Sequence, residues 1–305
     1  MRKALFIVMA IAVLLTSGCV ADSEGNYPVT RIGIFKDSPA WELAKAVRWQ
    51  NTKKISRIAE ENPELLDYQD ERYGVTLLIW AVGTERYQSA KALLENGADP
   101  DIIATSYGYT ALYLASGFSW VDNMAKKDPK YVELLLEYGA DPNIVFLGNE
   151  KNNITEVGTS PLMESIRCGF GKTKALVEGG ADINHKSVQG KTAAISALYA
   201  ASRGSVELSQ YAHYLIAVKK ANVVDSYKSV YSFIPESYSM EYYPVELLRE
   251  WMPKLDSEEH RMKMEIIDEF ARQGVDYWST PIDEHNLKEI KKLYPDSWEE
   301  YAKRY

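Results

Sequence analysis

The feature that most constrains this chain is a short unit that recurs along it. In the stretch from Gly74 to Pro100, a glycine and Thr76 open an apolar helix and a polar turn follows. A second helix then ends at Leu93-Leu94, before Gly97-Ala98-Asp99-Pro100. The same order of signals returns at 108–143, 158–184 and 190–222. Thr76 has the chemistry of an N-cap, and Gly97 supplies the left-handed backbone on which a helix can end with little strain. Helix pairs this short cannot bury their own apolar faces, so neighbouring units have to stack. The expectation is a row of stacked units in place of one globular core.

Gly108–Ala115, Gly158-Thr-Ser160-Pro161-Leu162 and Gly190-Lys-Thr192 open the later units. Gly139-Ala-Asp-Pro-Asn143, Gly180-Ala-Asp-Ile-Asn184 and Lys220-Ala-Asn222 close them. Over about residues 39–276 this grammar resembles ankyrin repeats, which implies an all-α ankyrin-repeat solenoid of about six helix pairs with short finger loops. Where the family has Thr-Pro-Leu-His, this chain has Thr-Leu-Leu-Ile, Thr-Ala-Leu-Tyr, Ser-Pro-Leu-Met and Thr-Ala-Ala-Ile. The histidine that links neighbouring repeats is missing, so its hydrogen-bond ladder is not expected. The opening glycines lie 34, 50 and 32 residues apart. Insertions are expected at 118–130 and 146–157 and between the helices of the fourth unit.

A terminal pair without glycine landmarks precedes the repeats. Ser38 is its expected N-cap and Pro39 its first helical residue, followed by a second helix from Lys53 to Glu61. After Asn222 comes a Tyr- and Ser-rich insertion to Tyr243. Helices then follow at Pro244–Trp251 and Ser257–Arg272, and Gly274-Val-Asp276 closes the pair. Residues 277–305 read as a C-terminal helical cap carrying Leu287, Ile290, Leu293, Trp298 and Tyr301.

At the N-terminus, Met1-Arg2-Lys3 precedes an unbroken apolar run from Ala4 to Leu15 and then Thr16-Ser17-Gly18-Cys19. Twelve helical residues rise about 18 Å, short of the roughly 30 Å hydrocarbon core, so 1–18 read as a signal peptide. Its ending resembles the lipobox of bacterial lipoproteins, with Thr16 where leucine is usual. The resemblance implies lipidation of Cys19, and Val20 after it leans towards the outer membrane. Residues 19–38 then form the lipidated cysteine and a flexible tether spanning roughly 25 Å.

The formal charge of −8 becomes −10 once Arg2 and Lys3 are removed. That balance argues against nucleic acid, whose phosphates need basic partners, and suits a partner with a basic surface. No cofactor, metal site or catalytic residue is expected. His185, His213, His260 and His285 have no ligand spacing, and no Gly-x-Ser-x-Gly elbow occurs. Gly169-Phe-Gly171-Lys172-Thr173 is similar to the end of a phosphate-binding loop. However, Ile166 stands where its first glycine belongs, so the stretch reads as an inter-helix turn. A Cys19–Cys168 bridge is open only while Cys19 stays unmodified; otherwise Cys168 is a free, half-buried thiol.

Binding residues are expected on the fingers, which in ankyrin proteins hold a protein partner together with the inner helices. These are Arg72, Tyr73, Ser106, Tyr107, Tyr109, Glu156, Val157, Thr159, Val188, Gln189 and Lys191. Tyr73, Tyr107 and Tyr109 should cluster across adjacent fingers, and tyrosine and arginine are common interface anchors. Phe118 and Trp120 in the insertion join them. So does Arg167, which is also spaced to pair with Glu164. Lipobox, tether and acidic repeats together resemble the ankyrin-type lipoproteins that serve as immunity proteins against type VI secretion phospholipase effectors. The resemblance implies a periplasmic, lipid-anchored binder of a toxic lipase, as a monomer or a 1:1 heterocomplex. The alternative is a scaffolding lipoprotein that protects an envelope enzyme.

Overall fold

The computed structural model describes residues 28–121, 127–148, 155–203, 206–228 and 241–305. Cys19, the signal peptide and the first part of the tether lie outside them. The chain forms two compact units, 1–182 and 183–305.

In the first unit, two 3-10 turns, Pro28–Thr30 and Ile32–Phe35, precede the helices. The expected tether is therefore shorter than 19–38. Val29, Ile32 and Phe35 recur at the three-residue spacing of a 3-10 helix, and all three are buried. Ser38 does not cap a helix: its hydroxyl donates to the Phe35 carbonyl oxygen at 2.7 Å. Helix α1 instead starts two residues past Pro39 and spans Trp41–Arg48. Four helix pairs result. They are α1 with α2 (Thr52–Glu61), α3 (Leu77–Gly83) with α4 (Tyr87–Glu95), α5 (Ala111–Gly117) with α6 (Lys130–Glu137), and α7 (Pro161–Ser165) with α8 (Phe170–Glu178).

Inner helices α1, α3, α5 and α7 stack in order, as do outer helices α2, α4, α6 and α8. Every residue of α3 and of α5 is buried, because each is packed on both sides by its neighbours. The expected caps are in place, with Thr76, Thr110 and Ser160 side chains accepting from the backbone N–H three residues on at 3.2–3.3 Å.

A ladder between repeats exists without histidine. Asp67, Asp101 and Asn143 accept through their side chains from the backbone N–H of Asp99, Asp141 and Asp182, at 2.8–2.9 Å. In the second unit Asn184 does the same for Asn222, at 2.8 Å. Asp101, Asn143 and Asn184 all stand two residues after the Asp of a closing Gly-Ala-Asp, so the acceptor was written in each of those three closures.

The second unit carries α9 (Ala193–Arg203) and α10 (Val206–Ala212), continued by one π-helical stretch, His213–Val218. Next come α11 (Pro244–Glu250) and α12 (Glu258–Arg272), then α13 (Glu284–Leu293) and α14 (Trp298–Arg304). Lys220 takes the left-handed position that glycine holds in the other closures, at φ 62°. Ile290, Tyr301 and Tyr305 form a buried cluster against which Trp298 packs, whereas Leu293 is exposed. A two-residue antiparallel ladder, β1 (Tyr227–Lys228) and β2 (Glu241–Tyr242), brackets the Tyr-rich insertion.

Candidate protein-binding surface

The finger of the second helix pair is folded by one carboxylate. Asp70 is buried and accepts from the backbone N–H groups of Arg72 and Tyr73 with Oδ1, and of Val75 with Oδ2, at 2.8–3.0 Å. Three hydrogen bonds converging on one buried side chain fix a tight loop more firmly than a single bond does. The clamp sets Arg72, exposed, over the Tyr73 ring at 5.1 Å. The next finger is tied to this one, with Ser106 N–H donating to the Tyr73 carbonyl and its hydroxyl to that of Arg72.

Behind Tyr73 the expected tyrosine cluster takes the form of a ring ladder. Tyr73, Tyr107, Tyr109, Tyr113 and Phe146 stack successively with centroids 5.4–5.9 Å apart. Such offset stacks add about 0.5–1.5 kcal/mol per pair beyond their buried area. At the inner end the Tyr113 hydroxyl donates to Glu164 at 3.1 Å. Burial, and then the adjacent Glu164, push the Tyr113 hydroxyl well above its ordinary range. Burial also raises the Glu164 carboxyl, although the Tyr113 hydrogen bond opposes the shift. Glu164 thus pairs with a neighbouring repeat and not with Arg167. The reason is that α7 ends at Ser165 and Arg167 turns out to solvent at φ 79°.

The placements divide the expected contact residues. Arg72, Ser106, Arg167, Val157 and Val188 are exposed, and Tyr73, Phe118, Glu156, Gln189 and Lys191 are half-buried. Tyr107, Tyr109, Trp120 and Thr159 are buried in the free chain, so they support the surface instead of presenting it. Trp120 is buried because Gly83, at the end of α3, leaves the space its ring fills; a Cβ there would overlap it. Gly117, the equivalent residue of α5, makes the same room for Glu164.

Two residues escaped the sequence reading. Asp70 carries no distinguishing signal in the sequence, and only its burial reveals the clamp. Leu147 is 57 % exposed, and its N–H donates to the Gly108 carbonyl, continuing the finger row. Beside a glycine in an insertion, it carried no distinguishing signal. Within the first unit, Arg72, Tyr73, Ser106, Leu147 and Val157 make a row of cationic, aromatic and apolar groups on successive fingers.

Lys172 and Thr173 are buried in α8, and Thr173 shares a 2.8 Å hydrogen bond with Ser165, so the glycine-lysine stretch is a turn and a helix start. The Cys168 thiol is pushed up to about 12, by burial first and Glu164 second, which leaves it a poor nucleophile. His213 faces Glu265 at 2.6 Å, and His260 reaches the Arg304 carbonyl. Among the described residues no three His, Cys, Asp or Glu side chains could hold a metal ion.

Residues 43–146 match the family model for ankyrin repeats, in three copies. That stretch of the chain carries ankyrin repeats. With the helix pairs and fingers described above, the fold class is an all-α ankyrin-repeat solenoid. The match begins at Leu43, so the terminal pair without glycines belongs to the repeat array. Protein PhlB of Serratia liquefaciens is 30 % identical over 169 residues, 55 % of this chain and 65 % of that protein. Putative ankyrin repeat protein L91 of Acanthamoeba polyphaga mimivirus is 34 % identical over 104 residues, 33 % of this chain and 15 % of that protein. The chain thus spans less than two thirds of either relative. Ankyrin repeats imply protein–protein interaction.

Proposed function

We propose that this chain is a lipid-anchored periplasmic binding protein that neutralises a toxic enzyme, and that the enzyme is a type VI secretion phospholipase effector. The observation that carries the binding half is the Arg72–Tyr73 pair, held outward by Asp70 at the open end of a buried ring ladder. An exposed cation beside a half-buried aromatic on a rigid support loses little entropy on binding, which is the property of an interface anchor. Leu147 and Val157 extend the same row with apolar surface. The lipobox-like Thr16-Ser17-Gly18-Cys19 supports the location. An inhibitor held at the membrane meets a membrane-attacking enzyme at raised effective concentration. Inhibition is stoichiometric: the finger row grips the effector and covers its active-site mouth or its membrane-docking face.

The test is co-expression of a type VI secretion phospholipase effector directed to the periplasm. The expected result is survival with this chain, death without it, and co-purification of the two as a 1:1 complex. Equal survival with and without the chain would sink the immunity reading. Co-purification of an envelope enzyme that keeps its activity would favour the scaffolding role.

A further inference from the structure

The first unit contains a cleft of about 370 Å³ between the 3-10 turns, the end of α1, and α3 with the turn that follows it. Its wall includes Arg31, Arg48 and Arg86, and none of its lining residues is acidic. In a chain of net charge −8, three guanidinium groups around one cleft are not the background composition. Two of its lining side chains also carry unmet donors. Trp80 is 2 % exposed, yet its indole N–H meets no acceptor, and the buried Nε–H of Arg86 meets none either. A buried donor left without an acceptor costs about 1–3 kcal/mol, but neither atom is open to the cleft, so the donors that face a ligand are the guanidinium groups of its wall. The volume falls within the roughly 300–1,000 Å³ of ligand pockets.

We propose that this cleft is a binding site for the phosphate group of a small phosphate ester. Arginine presents forked N–H donors that match phosphate oxygens, and donors approaching from several walls suit a tetrahedral dianion better than a planar carboxylate. The cleft is larger than the anion alone requires. Ile32, the Trp80 ring and Val121 form an apolar part of its wall where the ester's carbon chain lies. The 3-10 turns are integral to the site because their buried Val29, Ile32 and Phe35 fix the segment bearing Arg31. Cys19 lies twelve residues before Arg31, so the phosphate has two possible sources, a soluble ester or an anionic lipid headgroup. The site is independent of the finger row and of the toxin reading.

Isothermal titration of the full chain with glycerol 3-phosphate, set against glycerol and acetate, tests the soluble source. Co-sedimentation with phosphatidylglycerol vesicles, set against phosphatidylcholine vesicles, tests the lipid source. Saturable binding in either arm is expected, weakened at least tenfold by Arg48→Gln and by Arg86→Gln. Binding to vesicles alone assigns the headgroup, and binding of the soluble ester assigns the metabolite. The proposal is overturned if neither probe binds, if both arginine variants bind as wild type, or if acetate binds as tightly as the ester.

Discussion

Asp101 and Asn143 do the same job on successive repeats, each accepting one backbone N–H across the stack. Only Asp101 carries a charge there. Its pKa is raised, by partial burial first, with Asp99 and Asp141 adding repulsion against the opposing hydrogen bond from Asp141. A carboxyl with a raised folded-state pKa loses stabilisation as pH rises through that value, so ionised Asp101 is a liability at neutral pH. Asp101→Asn keeps the acceptor and should raise the urea midpoint at about pH 7, an advantage that vanishes as the pH falls below the carboxylate range. Asp101→Ala should lower stability by about 1 kcal/mol, because the Asp141 N–H loses its partner.

Lys263 is the converse case. It is fully buried, donates to the Trp251 carbonyl, and lies 4.1 Å from the Tyr305 ring centroid and 5.1 Å from that of Tyr277. Arg249 stands over the same Tyr277 ring at 3.9 Å. Burial, then Arg249, hold the Lys263 ammonium well below its ordinary range. The unfolded chain therefore binds the proton that the folded chain resists, and stability rises with pH from the folded value towards about 10.4. Lys263→Met should melt higher than wild type at about pH 6, by about 1 kcal/mol or more. The gap should narrow as the pH approaches 10. A constant gap across that range would show that the lysine proton is not involved.

At the scale of elements, the finger loops are the working parts and the helices their mounting. The Asp70 clamp holds Arg72 and Tyr73 without touching anything a partner would touch. Asp70→Ala should therefore weaken the partner complex about as much as Arg72→Ala, by 1–3 kcal/mol, although it removes no contact group. Surface plasmon resonance on the two variants, with circular dichroism to confirm intact helices, separates a misarranged finger from an unfolded unit. The helix starts were legible because capping is local chemistry: Thr76, Thr110 and Ser160 each act within one turn. The start of α1 was not legible, because the buried Val29, Ile32 and Phe35 draw Ser38 back to the preceding turn.

At the scale of the whole molecule, the proposed anchor and the proposed binding surface occupy different parts of the chain and fail separately. If Cys19 carries the anchor, Cys19→Ser should shift the protein from the membrane pellet to the soluble periplasmic fraction. Its affinity for the partner in solution should be unchanged, while protection falls with the lost effective concentration. Retention in the pellet would place the membrane attachment elsewhere.

The sequence alone determined the repeat register, the caps, the left-handed closures and the acidic charge, because each is set by one residue and its neighbours within a turn. Even the cross-repeat acceptors Asp101, Asn143 and Asn184 were present in the three Gly-Ala-Asp closures, unread. Tertiary structure decided which of the expected contact residues face outward. Tyr73 and Tyr107 each directly precede an opening glycine, yet stacking leaves Tyr73 at the open end and seals Tyr107, with Tyr109, behind it. It also decided the arginine cleft, whose wall draws on residues from Thr30 to Val121. Burial and convergence are properties of neighbours distant in the chain, and no local pattern encodes them.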